Sequence, residues 1–348
     1  MNRRKLELSD KIRQFLIDKN QKMLFTELSS DYLEEANLAD ILTGVSVPIM
    51  PEALSELSNL VIAMGMARVI GADEDFRYAD AYRACLVRLY GRNADKVMID
   101  EGSKAGETEN YEIACMYFRT ALQLNPNSRD ALYLYGRSCN SAYEQEGKDE
   151  NYVGCFKAQA IDIFEELTIQ YPDFDMGYYF LGYHYANLGL YTKAQLSWEK
   201  FMELSREYHA DEGQYMNPIP DDEMQEMREE IGNRLESLEE AVNIENAVNR
   251  IMSGDFQTGI DVLTSYDSGP YSEWWPLWYY LGYAYAGMGN GEEAVDAYRH
   301  ALRLSPSNTQ VMGELVEVYQ SLGEYANAEK YINKIHVIQQ SLETETQE

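Results

Sequence analysis

The chain has 348 residues, and its 45% hydrophobic and 25% charged residues are typical of a globular protein with a sizeable core. The formal net charge of −30 at pH 7 argues against a nucleic-acid binder, because phosphate neutralisation needs clustered lysine and arginine. The same charge repels anionic membranes, so the expected partner is a protein or peptide of neutral to basic character.

Charge is unevenly distributed along the chain. Residues 203–245 hold fourteen acidic residues and three arginines, whereas residues 1–25 hold seven basic and three acidic residues. The basic start either docks on an acidic surface or forms a solvated end, and we favour the solvated end. No apolar segment follows it, so no secretory signal is predicted. Four cysteines without CxxC spacing then indicate reduced, buried thiols in a cytoplasmic protein.

Residues 1–94 predict a helical N-terminal region. The apolar face of a basic first helix consists of Leu8, Ile12, Phe15 and Leu16. Helical periodicity predicts two further helices at 54–70 and 76–90, and the segment SVPIMP at 46–51 predicts a rigid connection between helices. The apolar run at 54–70 contains Glu56 and is too short to span a membrane, so no membrane insertion is expected.

Residues 95–208 repeat small, aromatic and glycine residues at fixed spacing. Two signatures end in proline: Ala114, Phe118, Ala121 and Pro126, then Ala160, Phe164, Leu167 and Pro172. The helix between them carries Tyr135, Gly136 and Cys139. Its distance to Ala160 exceeds the repeat length, so we expect an extended turn near EQEGKDEN at 144–151. The clearest copy in this region is the phrase YYFLGYHYANLG at 178–189.

Residues 209–242 interrupt the pattern. Their first half is a loop that contains prolines, and their second half predicts an acidic helix with Asp221 or Asp222 as its N-cap. The apolar face of this helix consists of Met224, Met227, Ile231, Leu235 and Leu238.

The pattern returns at 243–342, where the phrase WYYLGYAYAGMG at 278–289 nearly repeats the earlier one. Its copy contains Trp278, Leu281, Gly282, Tyr285, Gly289, Ala294, Tyr298, Ala301 and Pro306. Weaker copies contain Gly254, Phe256, Gly259 and Leu263 before it, and Met312, Leu315, Tyr319, Gly323, Ala328 and Ile332 after it. We expect Gly282 to let two helices approach closely and Gly289 to support the turn between them.

This pattern resembles the tetratricopeptide repeat (TPR), a helix-turn-helix unit of about 34 residues with a W-L-G-Y…A-F-A-P arrangement. The resemblance covers residues 95–342 and is strongest at 175–208 and 275–308. It implies an all-α fold, an α-solenoid in which TPR hairpins form a right-handed superhelix. The N-terminal region is expected to be divergent and the acidic helix to be an insertion. The expected divisions are 1–94, 95–208, 209–242, 243–342 and a tail at 343–348.

The sequence contains no specific catalytic or cofactor motif, since it lacks a P-loop, a G-x-G-x-x-G fingerprint, HExxH and GxSxG. His209, Asp211 and Glu212 lie close together. Three side chains so near in sequence rarely form a preorganised metal site, so a solvated loop is expected there. We therefore predict no enzyme activity, no metal and no cofactor.

Several tyrosines are not required by the repeat pattern. Tyr179 and Tyr183, like Tyr279 and Tyr283, are four residues apart and share one helix face. In the TPR family, this face of the first helix lines a concave groove that binds peptides or helices. The resemblance therefore implies these binding residues: Tyr133, Arg137, Asn140, Tyr179, Tyr183, Asn187, Tyr279 and Tyr283. Packing of the tyrosines against neighbouring helices or the acidic insertion is an equally open alternative.

The leading hypothesis is a protein–protein interaction module, a scaffold or adaptor that holds a peptide or protein segment in a tyrosine-lined groove. A chaperone-like or regulatory protein that holds one client is the nearest alternative. A small-ligand receptor or an enzyme with an aromatic pocket between repeats is the alternative of another class. Self-association through exposed helical faces also stays open.

Overall fold

A computed structural model describes residues 10–50, 58–208 and 219–345, with side chains up to residue 340. The predictions for Leu8, for the proline-containing loop and for the cluster of His209, Asp211 and Glu212 lie outside these residues. The described residues form two compact units: those up to 188 and those between 196 and 231 belong to the first, and those at 189–195 and from 232 onward belong to the second. None of the helices in the described ranges has the length and apolar character needed to cross a membrane.

The fold is all-α, as predicted, and consecutive helices pack against each other as hairpins within each unit. The helices of the first unit are α1 (Arg13–Lys19), α2 (Ser30–Glu35), α3 (Ala39–Leu42), α4 (Asn59–Ala72), α5 (Ala79–Tyr90), α6 (Ala94–Glu107), α7 (Tyr111–Leu124), α8 (Arg129–Glu144), α9 (Glu150–Gln170) and α10 (Asp175–Asn187). Two helices contribute residues to both units, α11 (Tyr191–Leu204) and α12 (Asp221–Met252). The second unit continues with α13 (Phe256–Leu263), α14 (Trp275–Gly287), α15 (Gly291–Leu304), α16 (Thr309–Ser321) and α17 (Tyr325–Glu345).

The basic N-terminal segment docks on the first unit from residue 10 onward. Ile12 and Leu16, both predicted on the apolar face of the first helix, are fully buried. The ion pairs that hold the segment include Lys11–Asp162, Arg13–Asp73 and Arg119–Asp10. The favoured solvated end is therefore wrong for these residues, because apolar burial and charge pairing both favour docking.

A small sheet lies in the N-terminal region, where the sequence predicts only helices and a rigid connection. β1 (Leu24–Glu27) and β2 (Ser46–Ile49) pair antiparallel, with Phe25 opposite Pro48. A proline is tolerated here because the described sheet has only two strands, so each strand has an edge that needs no donor. Val47 and Ile49 are buried, and this burial holds the predicted connection as a strand.

The helices predicted at 54–70 and 76–90 are present as α4 and α5 from residues 59 and 79, and residues 54–57 lie outside the described ranges. Gly71 in α4 lies directly against α7, where an added Cβ would be 2.0 Å from the carbonyl oxygen of Met116. Nearby, the buried hydroxyl of Thr120 donates to the carbonyl of Ala67 at 2.7 Å. The close backbone approach of these two helices therefore depends on glycine.

The extra residues before Ala160 are mostly helical. The connection between α8 and α9 covers only residues 145–149, so the expected extended turn at 144–151 is wrong in extent. The added turns of α9 carry Tyr152 and Phe156, whose rings stack at 4.3 Å, and Phe15 packs edge-on against Tyr152 at 5.2 Å. Contact with the N-terminal segment thus stabilises the added turns of α9, which begins at Glu150, inside the expected turn.

The acidic helix is longer than predicted. α12 has 32 residues and continues through residue 242, where the insertion was expected to end. On its predicted apolar face, Met224 and Ile231 are buried, while Met227, Leu235 and Leu238 are half-buried. Its C-terminal part packs on α13, because an added Cβ at Gly259 would lie 2.2 Å from Ile251 Cγ1. The second half of α12 is therefore the first helix of the weak repeat before Trp278.

Candidate peptide-binding surfaces

Glycine–aromatic pairs position the tyrosines of the first helices. Gly182 in α10 lies against the buried indole of Trp198 in α11, and an added Cβ would be 2.1 Å from Trp198 Nε1. The indole nitrogen donates to the carbonyl of Tyr179 at 3.2 Å. In the second unit, Gly282 lies in the same way against the buried ring of Tyr298, and an added Cβ would be 2.7 Å from Tyr298 Cδ1. These pairs fix the rotation of α10 and α14 about their axes and leave the predicted tyrosines half-exposed.

Three predicted residues converge on one pocket in the first unit, which we call the α8–α10 pocket. Its volume is about 350 Å³. It is lined by Asp130, Tyr133, Leu134, Arg137, Phe174, Met176, Tyr179, Phe180, Ile219, Glu223 and Met227. Tyr133, Arg137 and Tyr179 were predicted, whereas the phenylalanines and the residues before and in α12 were missed as site residues. The sequence offered two indications of these missed residues: the PDFD segment, which contains Phe174, and the predicted apolar face of α12.

The aromatic wall of the α8–α10 pocket already holds a guanidinium group. Tyr133 packs edge-on against Phe174 at 5.2 Å and lies 6.2 Å from Phe180. The exposed Arg137 places its guanidinium carbon 5.8 Å from the Tyr133 ring centre and 5.9 Å from that of Phe180. Burial raises the pKa of Tyr133, and the Arg137 charge opposes this rise. The rings therefore interact with a cation that the chain itself supplies.

Tyr183 lies one turn beyond the pocket and contacts the acidic helix. Its hydroxyl hydrogen-bonds a carboxylate oxygen of Glu230 in α12 at 2.7 Å, and its ring packs edge-on against Trp198 at 5.1 Å. The segment before α12 is fixed by Tyr208, whose hydroxyl donates to the Ile219 carbonyl at 2.9 Å and accepts from its amide at 3.0 Å. The insertion thus covers part of the tyrosine face in the first unit. Tyr183 therefore meets, in part, the alternative expectation that these tyrosines pack against the acidic insertion.

The two predicted asparagines have different environments. Asn140 donates to Glu144 at 2.8 Å and accepts from the Tyr143 hydroxyl at 2.9 Å, so its side chain is already engaged within α8. Asn187 is exposed at the last position of α10.

The other predicted pair lies on α14 in the second unit. Tyr279 is half-buried, with Trp275 at 6.2 Å and Tyr298 at 6.0 Å between ring centres. Its hydroxyl accepts a hydrogen bond of 2.9 Å from Gln310 in α16. Tyr283 is also half-buried and lies 6.5 Å from Phe256. Both tyrosines therefore pack along one edge and present the other to solvent.

The acidic, histidine and cysteine side chains of the described ranges are not clustered for metal binding. No group of three or more His, Cys, Asp or Glu side chains in these ranges is arranged to hold a metal ion. Cys115 and Cys139 are fully buried with sulfur atoms 3.7 Å apart, and burial raises the pKa of Cys139 well above its usual value. A buried thiol with a raised pKa is a poor nucleophile.

The clearest repeat is also recognised by comparison with known families. A family model for the tetratricopeptide repeat matches residues 275–308. No curated protein sequence matches the chain. The chain has 14% identity to the TPR2AB domain of yeast Sti1, solved as a complex with pHSP90, over 73% of this chain and 94% of that one, with a TM-score of 0.32.

Two further solved structures are similar at the same low level. MamA from Desulfovibrio magneticus RS-1 has 13% identity over 72% of this chain and 98% of that one, with a TM-score of 0.28. A tetratricopeptide repeat protein from Parabacteroides merdae has 12% identity over 79% and 91%, with a TM-score of 0.30. The family model identifies the helix hairpin at residues 275–308 as a tetratricopeptide repeat.

Proposed function

We propose that the chain is a protein–protein interaction module, a scaffold or adaptor, that binds peptide or protein segments on two tyrosine faces, one on α10 in the first unit and one on α14 in the second. One observation carries this proposal. In both helices the paired tyrosines stay half-exposed, although Trp198 and Tyr298 already fill the interior of their hairpins. Tyrosine offers a large apolar ring with a polar tip at low entropic cost, and it is enriched where proteins bind each other.

Charge favours a partner segment with arginine or lysine. The formal net charge of −30 attracts cationic segments over long range. The guanidinium of Arg137 beside the rings of Tyr133 and Phe180 provides an intramolecular example of the contact expected with such a partner.

Affinity capture from the native cell lysate tests this proposal. The bait would be the wild-type chain and a variant with Tyr179, Tyr183, Tyr279 and Tyr283 all changed to alanine. Tyr325→Ala is the matched control, because Tyr325 is 70% exposed on α17 and outside the predicted faces. Thermal unfolding of each bait shows whether it is folded. We expect a protein that wild type and the control capture and the quadruple variant does not, and equal capture by all three would refute the proposal.

A small-ligand receptor is the second candidate, and the α8–α10 pocket favours it. A volume of about 350 Å³ is within the range of small-molecule sites, and the lining combines aromatic rings with Asp130, Arg137 and Glu223. A thermal-shift screen of small amphipathic carboxylates and amines tests it against Tyr133→Ala. A ligand that raises the unfolding temperature of wild type but not of the variant supports this candidate, and the absence of any stabilising ligand contradicts it.

A further inference from the structure

Two acidic side chains of α16 lie beside the predicted tyrosine face of α14 without a cation. Glu314 is half-buried and Glu317 is exposed, and their three-residue spacing places them on one side of the helix. Neither forms an ion pair with any lysine, arginine or histidine in the ranges that the structure describes. Burial and the like charge of Glu317 raise the pKa of Glu314, while the Tyr279 hydroxyl beside it acts in the opposite direction.

Elsewhere the chain neutralises a buried acid. Glu112 in α7 is 7% exposed, and its two carboxylate oxygens pair with Lys148 at 3.0 Å and Lys19 at 3.4 Å. A partly buried carboxylate without such partners is costly, since desolvation is not offset by an opposite charge. Glu314 therefore lacks the charge partners that this fold gives to Glu112.

An unpartnered buried hydroxyl adjoins the same acid pair. The Tyr298 side chain is fully buried, and its hydroxyl has no hydrogen-bond partner in the described chain. The groups that act electrostatically on this hydroxyl include Glu314, Tyr279 and Glu317. Buried polar groups are normally paired, so this hydroxyl and the acid pair form a cluster whose polar groups the described chain does not fully satisfy.

Aromatic rings complete the surroundings of the acid pair. The ring of Tyr279 lies 6.0 Å from that of Tyr298 and 6.2 Å from that of Trp275. The amide group of Gln310 fixes the Tyr279 hydroxyl at 2.9 Å. Rings next to two carboxylates match a planar cation that donates several hydrogen bonds and stacks on aromatic faces.

We propose that Glu314 and Glu317, with the ring of Tyr279, form a recognition site for an arginine side chain of the partner segment. This inference rests on the proposed function, because it names the side chain that the second unit selects. A guanidinium group has five N–H donors and pairs with carboxylates in a fixed geometry, so one arginine engages both acids while its plane faces Tyr279.

The experiment uses N-acetyl-arginine amide and its neutral isostere N-acetyl-citrulline amide as probes of the full chain. Binding is followed by NMR through the backbone amides of α14 and α16. We expect the arginine probe to shift these amides in a saturable, salt-sensitive manner and the citrulline probe to bind at least fivefold more weakly. The variant with Glu314→Gln and Glu317→Gln should lose at least fivefold in affinity for the arginine probe.

Glu329→Gln in α17 is the matched control, because Glu329 is exposed and the change removes one charge outside the site. The control should bind the arginine probe like wild type. Equal binding of both probes, equal affinity of the glutamine variant and wild type, or no binding to wild type would each overturn the inference. If capture of a protein still depends on the four tyrosines, the proposed function stands while the arginine site fails. If the arginine probe binds as expected but no capture depends on the tyrosines, the arginine site stands while the proposed function fails.

Discussion

Burial of His184 makes the stability of the first unit depend on pH. The imidazole in α10 is 1% exposed, and neither ring nitrogen has a hydrogen-bond partner in the described chain. Its neighbours are the ring of Phe164 at 5.7 Å and that of Tyr143 at 6.1 Å. Burial, with a smaller contribution from the positive charge of Lys157, lowers the pKa of His184 from 6.5 to about 4.

The sign and size of the effect follow from this lowered pKa. Between pH 6.5 and about 4, the unfolded chain binds a proton at His184 that the folded chain does not bind. Folding stability is therefore fully present above pH 6.5 and is lost as the pH falls toward 4. Each pKa unit corresponds to about 1.4 kcal/mol, so the loss from this one residue amounts to about 3 kcal/mol.

The variant His184→Leu tests this prediction, because leucine fills the site without a titrating group. Urea unfolding is measured by circular dichroism for wild type and variant at several pH values from 7 to 4. The difference in unfolding free energy should move in favour of the variant by about 3 kcal/mol over this range. The exposed His336→Leu is the control and should follow wild type. Parallel pH profiles for wild type and His184→Leu would refute the assignment of a buried, neutral imidazole.

Three further substitutions have defined outcomes. Gly71→Ala forces its Cβ against the Met116 carbonyl oxygen, so urea unfolding should show a loss of about 3 kcal/mol, and an unchanged midpoint would contradict the close helix crossing. Gly182→Ala presses on the indole of Trp198 and should cost about 1–3 kcal/mol by the same assay, with a shifted fluorescence maximum as the sign of ring displacement. Tyr183→Phe removes one exposed hydrogen bond to α12 and should cost less than about 1 kcal/mol, while limited proteolysis should cut the start of α12 faster than in wild type. An unchanged cleavage rate would show that this bond does not hold the acidic helix.

The repeats were predictable because their packing depends on pairs of residues at fixed spacing. Two such pairs can be recognised in the sequence, Gly182 with Trp198 and Gly282 with Tyr298. Only glycine fits against a large ring at that distance. The position of such a pair in the sequence is enough to predict that the two helices pack against each other. The all-α fold and the position of the clearest repeat therefore followed from the sequence.

Other features depended on contacts between distant segments. The strand at Ser46–Ile49 forms because it pairs with Leu24–Glu27, and the extra turns of α9 form against Phe15. Helix α12 continues past residue 242 because Gly259 packs against its second half. Local periodicity does not encode these partners.

The candidate surfaces were predictable only in part. The spacing of four residues placed Tyr179 and Tyr183 on one face, but it did not indicate that Glu230 of the acidic helix bonds the Tyr183 hydroxyl. The acid pair of α16 was also missed as a site. Its significance depends on the absence of a neighbouring cation in the described chain, which only a structure shows.

Hydrogen–deuterium exchange of the chain with and without its captured partner tests the central claim most directly. If the tyrosine faces bind the partner, the complex should slow exchange in α10 and α14, and the variant with the four tyrosines changed to alanine should show no such protection at the same partner concentration. Protection confined to other helices, such as α9 or α17, with α10 and α14 unchanged would contradict a binding site on these faces.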